Sequence, residues 1–429
     1  MIRRSTLAAL VAGGLLLGGT ALPAPALAKD KKEDAKAAST NSKAFADAYD
    51  PLQKLVYAPT PDYAGAKGMV PTVAAAVQTP HDKFVLGNLL VQLGDKTNDV
   101  GLEKQGVRLI LDSGEADASK VGLFHFYLGK WALDDKDFAT ARTELQAAAA
   151  AGYKEVDPEA LIAETYFQGN QPAEGLTYLT NLIAKRKAAG VAIPDAWLAR
   201  GLAVAYNAKL APQGNQYAEM LLANNATPDN WLKAFTAVAT LNPMDAQSEL
   251  DLMRLMRLTG ALKERFQYAQ YVNDTTKYAL ANETLDVLKE AVDKGVLTTG
   301  DSLYTEARAA ALKSADSDRK ETPGIVPEAR AAKDGRVAYG AANAFYSFGD
   351  YANAEAMFKL AIDKGVAEKD LALTRMGMAQ IMEGKYAEGQ ATLAQVSGAR
   401  APVAKMWMAY AAAKGAPPVP PTPPAPPRA

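Results

Sequence analysis

The chain has 429 residues, of which 22% are charged and 49% hydrophobic, and its formal net charge is −1. Because no basic excess is available to neutralise phosphates, this balance argues against nucleic-acid binding. The sequence contains no cysteine, which excludes a disulfide framework, a thiolate metal site and a cysteine nucleophile.

Residues 1–28 have the pattern of a secretory signal peptide. Two arginines precede an apolar stretch from Leu7 to Leu22, and a small-x-small triplet ends the segment. A retained membrane anchor is the alternative, and the short apolar run and the prolines that follow it count against an anchor. We expect a periplasmic or secreted bacterial envelope protein with no transmembrane segment after cleavage. Because no cysteine stands at the cleavage point, we expect no lipid anchor; general or twin-arginine export both stay open.

The two ends of the remaining chain predict little packed structure. Residues 29–43 are charged and lack large apolar side chains, which predicts a disordered linker. Residues 415–429 hold eight of the 24 prolines and predict an extended, disordered tail. Such a tail is either an inert spacer or a leash that docks on an aromatic groove.

Between these ends, nearly every segment predicts an α-helix. Apolar residues recur at steps of three and four, alanine is abundant, and the Val/Ile/Thr runs typical of strands are missing. The breaks are short and carry Gly, Pro, Asn or Asp, as helix ends require. The expected fold class is therefore all-α.

Two helical segments near the C-terminus repeat one layout. The segments Gly349–Gly365 and Gly384–Gly398 begin 35 residues apart, each with a tyrosine two positions after its first glycine. A small residue and a larger one follow at the same offsets in both segments. This spacing predicts a repeated helix–turn–helix unit.

Further copies of the layout occur upstream. Segments Asp135–Gly152 and Gly169–Ala184 follow it with at most one extra residue. A degenerate copy, Thr284–Val296, aligns without gaps to Ala354–Val366, which lies two periods later. The repeat therefore extends over most of the chain.

These segments resemble tetratricopeptide repeats, whose unit of about 34 residues has the form W-x2-L-G-x2-Y…A-x3-F. Leu128 and Gly129 match the first half, as do Trp197 and Gly201 in another copy. The second half is matched by the pairs Ala141/Leu145 and Ala354/Phe358. The resemblance implies an α-solenoid in which small residues let paired helices approach and larger ones fill the gap beneath.

The resemblance divides the chain unevenly. An N-terminal array is expected over 44–316, with the best match at 122–190 and degenerate repeats at 207–316. Residues 317–332 are charged and contain two prolines, which predicts a loop or a seam between arrays. A C-terminal pair of repeats is expected over 333–414.

No catalytic constellation is evident. The two histidines, His81 and His125, lie far apart; the first is expected at a helix start and the second between packed helices. Three aspartates at 134, 135 and 137 lack the ligand spacing of a calcium loop and fit a solvated turn. We predict no catalytic residue, no metal and no cofactor, and therefore a protein that is not an enzyme.

The resemblance implies instead a concave face, lined by the first helix of each pair, that holds an extended peptide or a partner's helix. Asn343 and Arg375 are similar to part of the family's two-carboxylate clamp, although Tyr339 stands where a lysine is expected. Aromatic anchors together with amide and basic side chains suit peptide recognition. The residues expected on this partner-binding face are Phe126, Lys130, Tyr339, Asn343, Tyr346, Arg375 and Met378.

The expected function is a non-catalytic scaffold or adaptor that binds an envelope protein or peptide. The first alternative is a carrier or sensor of envelope glycans or small ligands, which a closed aromatic pocket near Trp197, Trp231 or Tyr346 would favour. The second alternative is an enzyme with an unmarked carboxylate site, which requires a cleft with two facing acids.

Overall fold

A computed structural model describes residues 40–415 of the chain. The predicted signal peptide lies outside the described residues, as do residues 29–39 of the predicted linker 29–43 and residues 416–429 of the predicted tail 415–429. Over residues 40–415 the chain is helical, without strands, so the prediction of an all-α fold is confirmed. None of the helices in this range is both long and apolar enough to span a bilayer.

The helices are numbered here in chain order. The first part of the chain forms α1 Lys43–Tyr57, α2 Tyr63–Ala75, α3 Pro80–Thr97, α4 Val100–Ser113, α5 Ala118–Asp134, α6 Phe138–Ala150 and α7 Pro158–Gln168. The middle part forms α8 Pro172–Ala188, α9 Asp195–Asn207, α10 Ala211–Asn224, α11 Pro228–Leu241, α12 Ala246–Thr259, α13 Arg265–Lys277 and α14 Ala281–Asp293. The last part forms α15 Ser302–Ala311, α16 Ala315–Ala331, α17 Arg336–Ser347, α18 Tyr351–Asp363, α19 Lys369–Met382, α20 Tyr386–Leu393 and α21 Ala401–Gly415.

Side-chain caps set many of the helix starts. Asp137 accepts a hydrogen bond from the Thr140 amide at the start of α6, and Asp350 caps α18 in the same way. At α3, Thr79 and Asp82 form a reciprocal capping box around Pro80. These caps are local, since each joins residues three positions apart in the chain.

Consecutive helices pack against each other in pairs, such as α3 with α4, α5 with α6, α17 with α18 and α19 with α20. The arrangement is that of tetratricopeptide-like helix pairs, which confirms the predicted repeat architecture. The degenerate copy at 284–296 falls in α14, the second helix of its pair, and its counterpart lies in α18, the second helix of the pair two units later.

A close approach between paired helices recurs at one repeat position. A Cβ atom on Gly129 would lie 2.8 Å from Cγ of Leu145, and one on Gly377 would lie 2.6 Å from Cγ of Leu393. In both pairs the large side chain follows its glycine by 16 residues. Only a residue without a side chain lets the second helix lie this close, so the glycine and the leucine together define the pair.

The chain divides into two compact units, of which the first ends at Gln171 and the second begins at Pro172. The core of the first unit includes an N-terminal cluster around Phe45, Leu52 and Leu90. The second unit has a core that joins α12, α13 and α14 around Leu250, Tyr271 and others. This division differs from the expected one, which separated 44–316 from 333–414.

The loop or seam expected at 317–332 is a helix in the structure, because α16 runs through it. Its buried residues Ala315, Thr322 and Ala329 are spaced by seven and form one stripe. The stripe packs against neighbouring helices, whereas Pro323 and Pro327 lie on the solvent side. The helix hydrogen bonds that the two prolines cannot donate are therefore missing on the exposed side, where the unpaired carbonyl groups can tilt towards water. Packing of the buried stripe thus outweighs the helix-breaking effect of the prolines.

Candidate functional site: a buried ionic cluster around helix α12

Helix α12 is enclosed by other helices of the second unit. On one side Leu250 joins the apolar core formed with Tyr268, Tyr271 and others. On the other side Asp251 and Arg254 face α17, α19 and the segment that leads into α21, and they are 0% and 3% exposed. A helix with charges buried this deeply requires partners for each of them.

Asp251 receives hydrogen bonds from three guanidinium groups. Arg254 Nη1 donates to its carboxylate at 2.8 Å and Arg375 Nε at 3.1 Å, and Arg400 Nη2 donates to its second oxygen. Trp407 Nε1 donates to the backbone oxygen of Asp251 at 3.0 Å. This one residue therefore anchors both α19 and α21 to α12.

A second carboxylate, Glu283 of α14, completes the arrangement. Arg254 binds it in a bidentate manner, with Nε at 2.8 Å and Nη2 at 2.6 Å, and the Tyr271 hydroxyl donates to it at 2.8 Å. The guanidinium of Arg254 also lies over the ring of Tyr346, 4.7 Å from its centroid. The name α12 cluster is used below for Asp251, Arg254, Glu283, Arg375 and Arg400.

Arg375 joins three helices. Its Nη1 donates to Asn343 Oδ1 at 2.6 Å and to the Tyr339 hydroxyl at 3.2 Å, both on α17. Its Nη2 donates to Gln247 Oε1 on α12. Because Nε also donates to Asp251, all three nitrogens of the guanidinium have a hydrogen-bond partner.

Burial and charge act in opposite directions on the carboxylates of the cluster. Burial alone would raise the pKa of Asp251, but the charges of Arg375, Arg400 and Arg254 outweigh it and hold that pKa below its usual value. Glu283 behaves in the same way, since Arg254 more than offsets its burial and lowers its pKa. Both groups are therefore ionised at neutral pH, and the five side chains carry one positive charge in excess.

The structure places several predicted partner-binding residues within this arrangement. Arg375 is 3% exposed, Tyr346 7% and Met378 0%, whereas Tyr339 and Asn343 are half-buried. The expectation of an open concave face at α17 and α19 is corrected, because α12 covers that face with ionic, hydrogen-bonding and cation–π contacts. That these residues bind a partner stays a prediction.

The two predicted partner-binding residues of the first unit differ in their exposure to solvent. Phe126 is 2% exposed and stacks on Tyr153, with 4.6 Å between ring centroids, so it belongs to the core. Lys130, in the same helix, is exposed and pairs with Asp134 at 2.9 Å. Of these two, only Lys130 presents its side chain to solvent.

The histidines take the positions expected of them. His81 follows Pro80 at the start of α3, and its Nδ1 lies 2.8 Å from Glu115. His125 of α5 lies 2.7 Å from Glu144 of α6 through its Nδ1, between the two paired helices. Within residues 40–415, no three side chains of His, Cys, Asp or Glu are grouped as metal ligands.

The aromatic residues named for a ligand pocket pack against their own chain. Trp231 is buried and stacks on Phe235, with 5.4 Å between centroids. Arg186 lies over the ring of Trp197, 4.5 Å from its centroid. Two cavities of about 550 Å³ in the second unit are lined by other residues, one beside Tyr386 and Gly415 and the other beside Arg400 and Lys369.

Sequence reasoning missed the α12 side of the cluster. The available signal was a pair of opposite charges, Asp251 and Arg254, three residues apart within a run of leucines and methionines. Such charges are rarely buried without partners, but periodicity alone does not show that Arg375, 124 residues away, is one of them.

No family model matches the chain, and no curated protein matches it. A solved structure of the TPR2AB domain of yeast Sti1 in complex with a pHSP90 is similar at 15% identity and a TM-score of 0.24, over 68% of this chain and 93% of that one. A structure of Naa15/Naa10 bound to HypK-THB is similar at 12% identity and a TM-score of 0.31, over 82% of this chain and 66% of that one. At these scores neither likeness carries an argument, and the fold rests on the helix pairs described above.

Proposed function

We propose that this chain is a non-catalytic scaffold that binds a protein or peptide partner in the bacterial cell envelope. The observation that carries the proposal is the stacking of consecutive helix pairs in each unit. In such arrays each pair is stabilised mainly by its neighbours, so the remaining helix faces are free to vary and to bind partners. The signal-peptide pattern of residues 1–28 supports the envelope location.

Exposed side chains on first helices of pairs are the contacts to test. Phe266, in the first turn of α13, is 72% exposed, which is high for an aromatic side chain. Lys130 of α5 is exposed on the first helix of its own pair. Aromatic and cationic residues of this kind commonly anchor protein interfaces.

The test is photo-crosslinking in intact cells that export the full chain. A photoreactive residue replaces Phe266 or Lys130, and the matched control replaces Lys359, an exposed residue on α18, the second helix of its pair. We expect one recurrent protein adduct from Phe266 or Lys130 and little from Lys359. Absent adducts, or equal yields from the control position, would contradict the proposal.

The location is tested separately. A tagged chain is expected in the fraction released by osmotic shock, and a chain that lacks residues 2–28 is expected to stay in the cytoplasm. Retention of both forms in the cytoplasm would contradict the envelope assignment without bearing on the partner.

A further inference from the structure

Helix α12 is bound by repeats that lie far from it in sequence. In a simple stack each pair contacts only the next one. Here Arg375, Arg400 and Trp407 contact Asp251 across 124, 149 and 156 residues. These contacts are therefore additional to the stacking that builds the array.

One side of α12 is held by polar and ionic contacts, whereas Leu250 on the other side belongs to the apolar core. Tyr339 and Asn343 of α17 orient the Arg375 guanidinium, which binds both Asp251 and Gln247. Arg400 adds a hydrogen bond to Ser248 Oγ at 2.9 Å. Polar groups from two adjacent repeats, and from the segment that follows them, thus bind one side of α12.

We propose that α12 is an intramolecular ligand of the C-terminal repeats, and that a partner helix with a similar pair of opposite charges binds these repeats by displacing α12. The inference rests on the proposed protein-binding role and names what controls access to the face of α17 and α19. The chain binds a partner at that face only in the state in which α12 has left it.

The charges specify the incoming helix. Departure of α12 removes Asp251 and Arg254, so Arg375 and Arg400 lose their shared carboxylate and Glu283 loses its guanidinium. A replacement must bring a carboxylate to the two arginines and a cation one turn later to Glu283. The partner is therefore an amphipathic helix with an Asp-x-x-Arg or Glu-x-x-Arg pattern.

An ionic contact suits such an exchange better than an apolar one. Buried ion pairs add little net stability over a well-packed apolar contact, because desolvation offsets their attraction. They discriminate strongly, however, since a helix that lacks either charge leaves a buried group unpaired. The cluster therefore makes the contact selective for one pattern of charges.

The experiment uses the full chain and a fluorescein-labelled peptide that copies residues 245–260. Binding is measured by fluorescence anisotropy to the wild-type chain and to Asp251→Asn, which weakens the internal ligand and leaves Arg375 and Arg400 in place. Apparent affinity scales with the fraction of open chains, so we expect binding to Asp251→Asn at least tenfold tighter than to the wild type. A control peptide that carries the Asp251→Asn change is expected to show no such gain.

A second variant tests the site. Adding Arg375→Gln to Asp251→Asn should abolish the gain in peptide affinity; if the gain persists, the peptide binds elsewhere and the proposal is wrong. If Asp251→Asn does not fold, as judged by circular dichroism, Gln247→Ala takes its place, since it removes one acceptor and no charge. Loss of one hydrogen bond to a charged group predicts a gain of roughly tenfold to a hundredfold for that variant.

The outcomes separate this inference from the proposed function. Equal peptide affinity for the wild type and a folded variant, or equal binding of both peptides, would overturn the role of α12. Because the probe is a segment of the chain itself, that result leaves the cellular crosslinking experiment unaffected. Conversely, absence of cellular adducts would contradict the scaffold role while the peptide measurement still stood.

Discussion

Two glycine-to-alanine substitutions in neighbouring first helices are expected to change stability in opposite directions. Gly340 lies in the interior of α17, where a Cβ atom would meet nothing within 4 Å. Gly377 lies in the interior of α19, where a Cβ atom would lie 2.6 Å from Leu393 Cγ and 3.1 Å from the backbone oxygen of Gly389. Comparison of the two variants separates the effect of helix propensity on stability from the effect of crowding between paired helices.

The magnitudes follow from these distances. Alanine in a helix interior is more stable than glycine by about 0.5–1 kcal/mol, so Gly340→Ala should stabilise the chain by that amount. The same gain at Gly377 is opposed by overpacking, which costs about 1–3 kcal/mol in a tight core. Because the crowding atom is the branch point of Leu393 and a backbone oxygen lies close behind it, we expect a net loss of up to about 2 kcal/mol.

Urea unfolding followed by tryptophan fluorescence measures both effects, since the buried Trp407 lies in the same unit. The midpoint should rise for Gly340→Ala and fall for Gly377→Ala, with similar slopes. Adding Leu393→Ala should remove most of the penalty at Gly377, as a double-mutant cycle would show. A shift of the same sign for both single variants would refute the inference that this glycine sets the distance between the helices.

Three further predictions concern charged groups. Arg254→Met leaves Asp251 and Glu283 short of a partner and should destabilise the second unit by about 3–5 kcal/mol, whereas Lys289→Ala, at an exposed ion pair, should leave the urea midpoint unchanged. Because the pKa of Glu283 is lowered in the folded state, its ionised form stabilises the fold above its ordinary pKa near 4.5. The difference in free energy of unfolding between wild type and Glu283→Gln should therefore be largest at pH 7 and decrease below about pH 4.5. A difference that does not change with pH would contradict this. Asp82→Asn weakens the bonds that Asp82 accepts from amides before α1 and α3 and should cost about 1–2 kcal/mol, visible as faster hydrogen exchange in α1.

The helix pairs and their period were accessible from the sequence because they depend on local spacing. Leu128-Gly129 and the pair Ala141/Leu145 predicted a first and a second helix in close contact, and the structure confirms that contact. The cap at Asp137 and the turn before it were equally local. Interactions within some 35 residues repeat along the chain, so a single pattern predicts many of them.

The segment 317–332 shows where local signals fail. Its two prolines predict an interruption, since each lacks an amide donor. The buried stripe of Ala315, Thr322 and Ala329, which are spaced by seven residues, is apparent only once the packing partners are known. Burial of that stripe stabilises α16 despite the prolines, which lie where water can reach the freed carbonyl groups.

The sequence by itself determined the fold class, the helix pairs and the repeat period, because each follows from side-chain spacing and from residues at helix ends. Only the tertiary structure decided what covers the face of α17 and α19. The contacts of Asp251 with Arg375 and Arg400 join helices more than a hundred residues apart, and no periodicity relates them. The physical reason is that a buried charge requires a partner but does not specify where in the chain that partner lies.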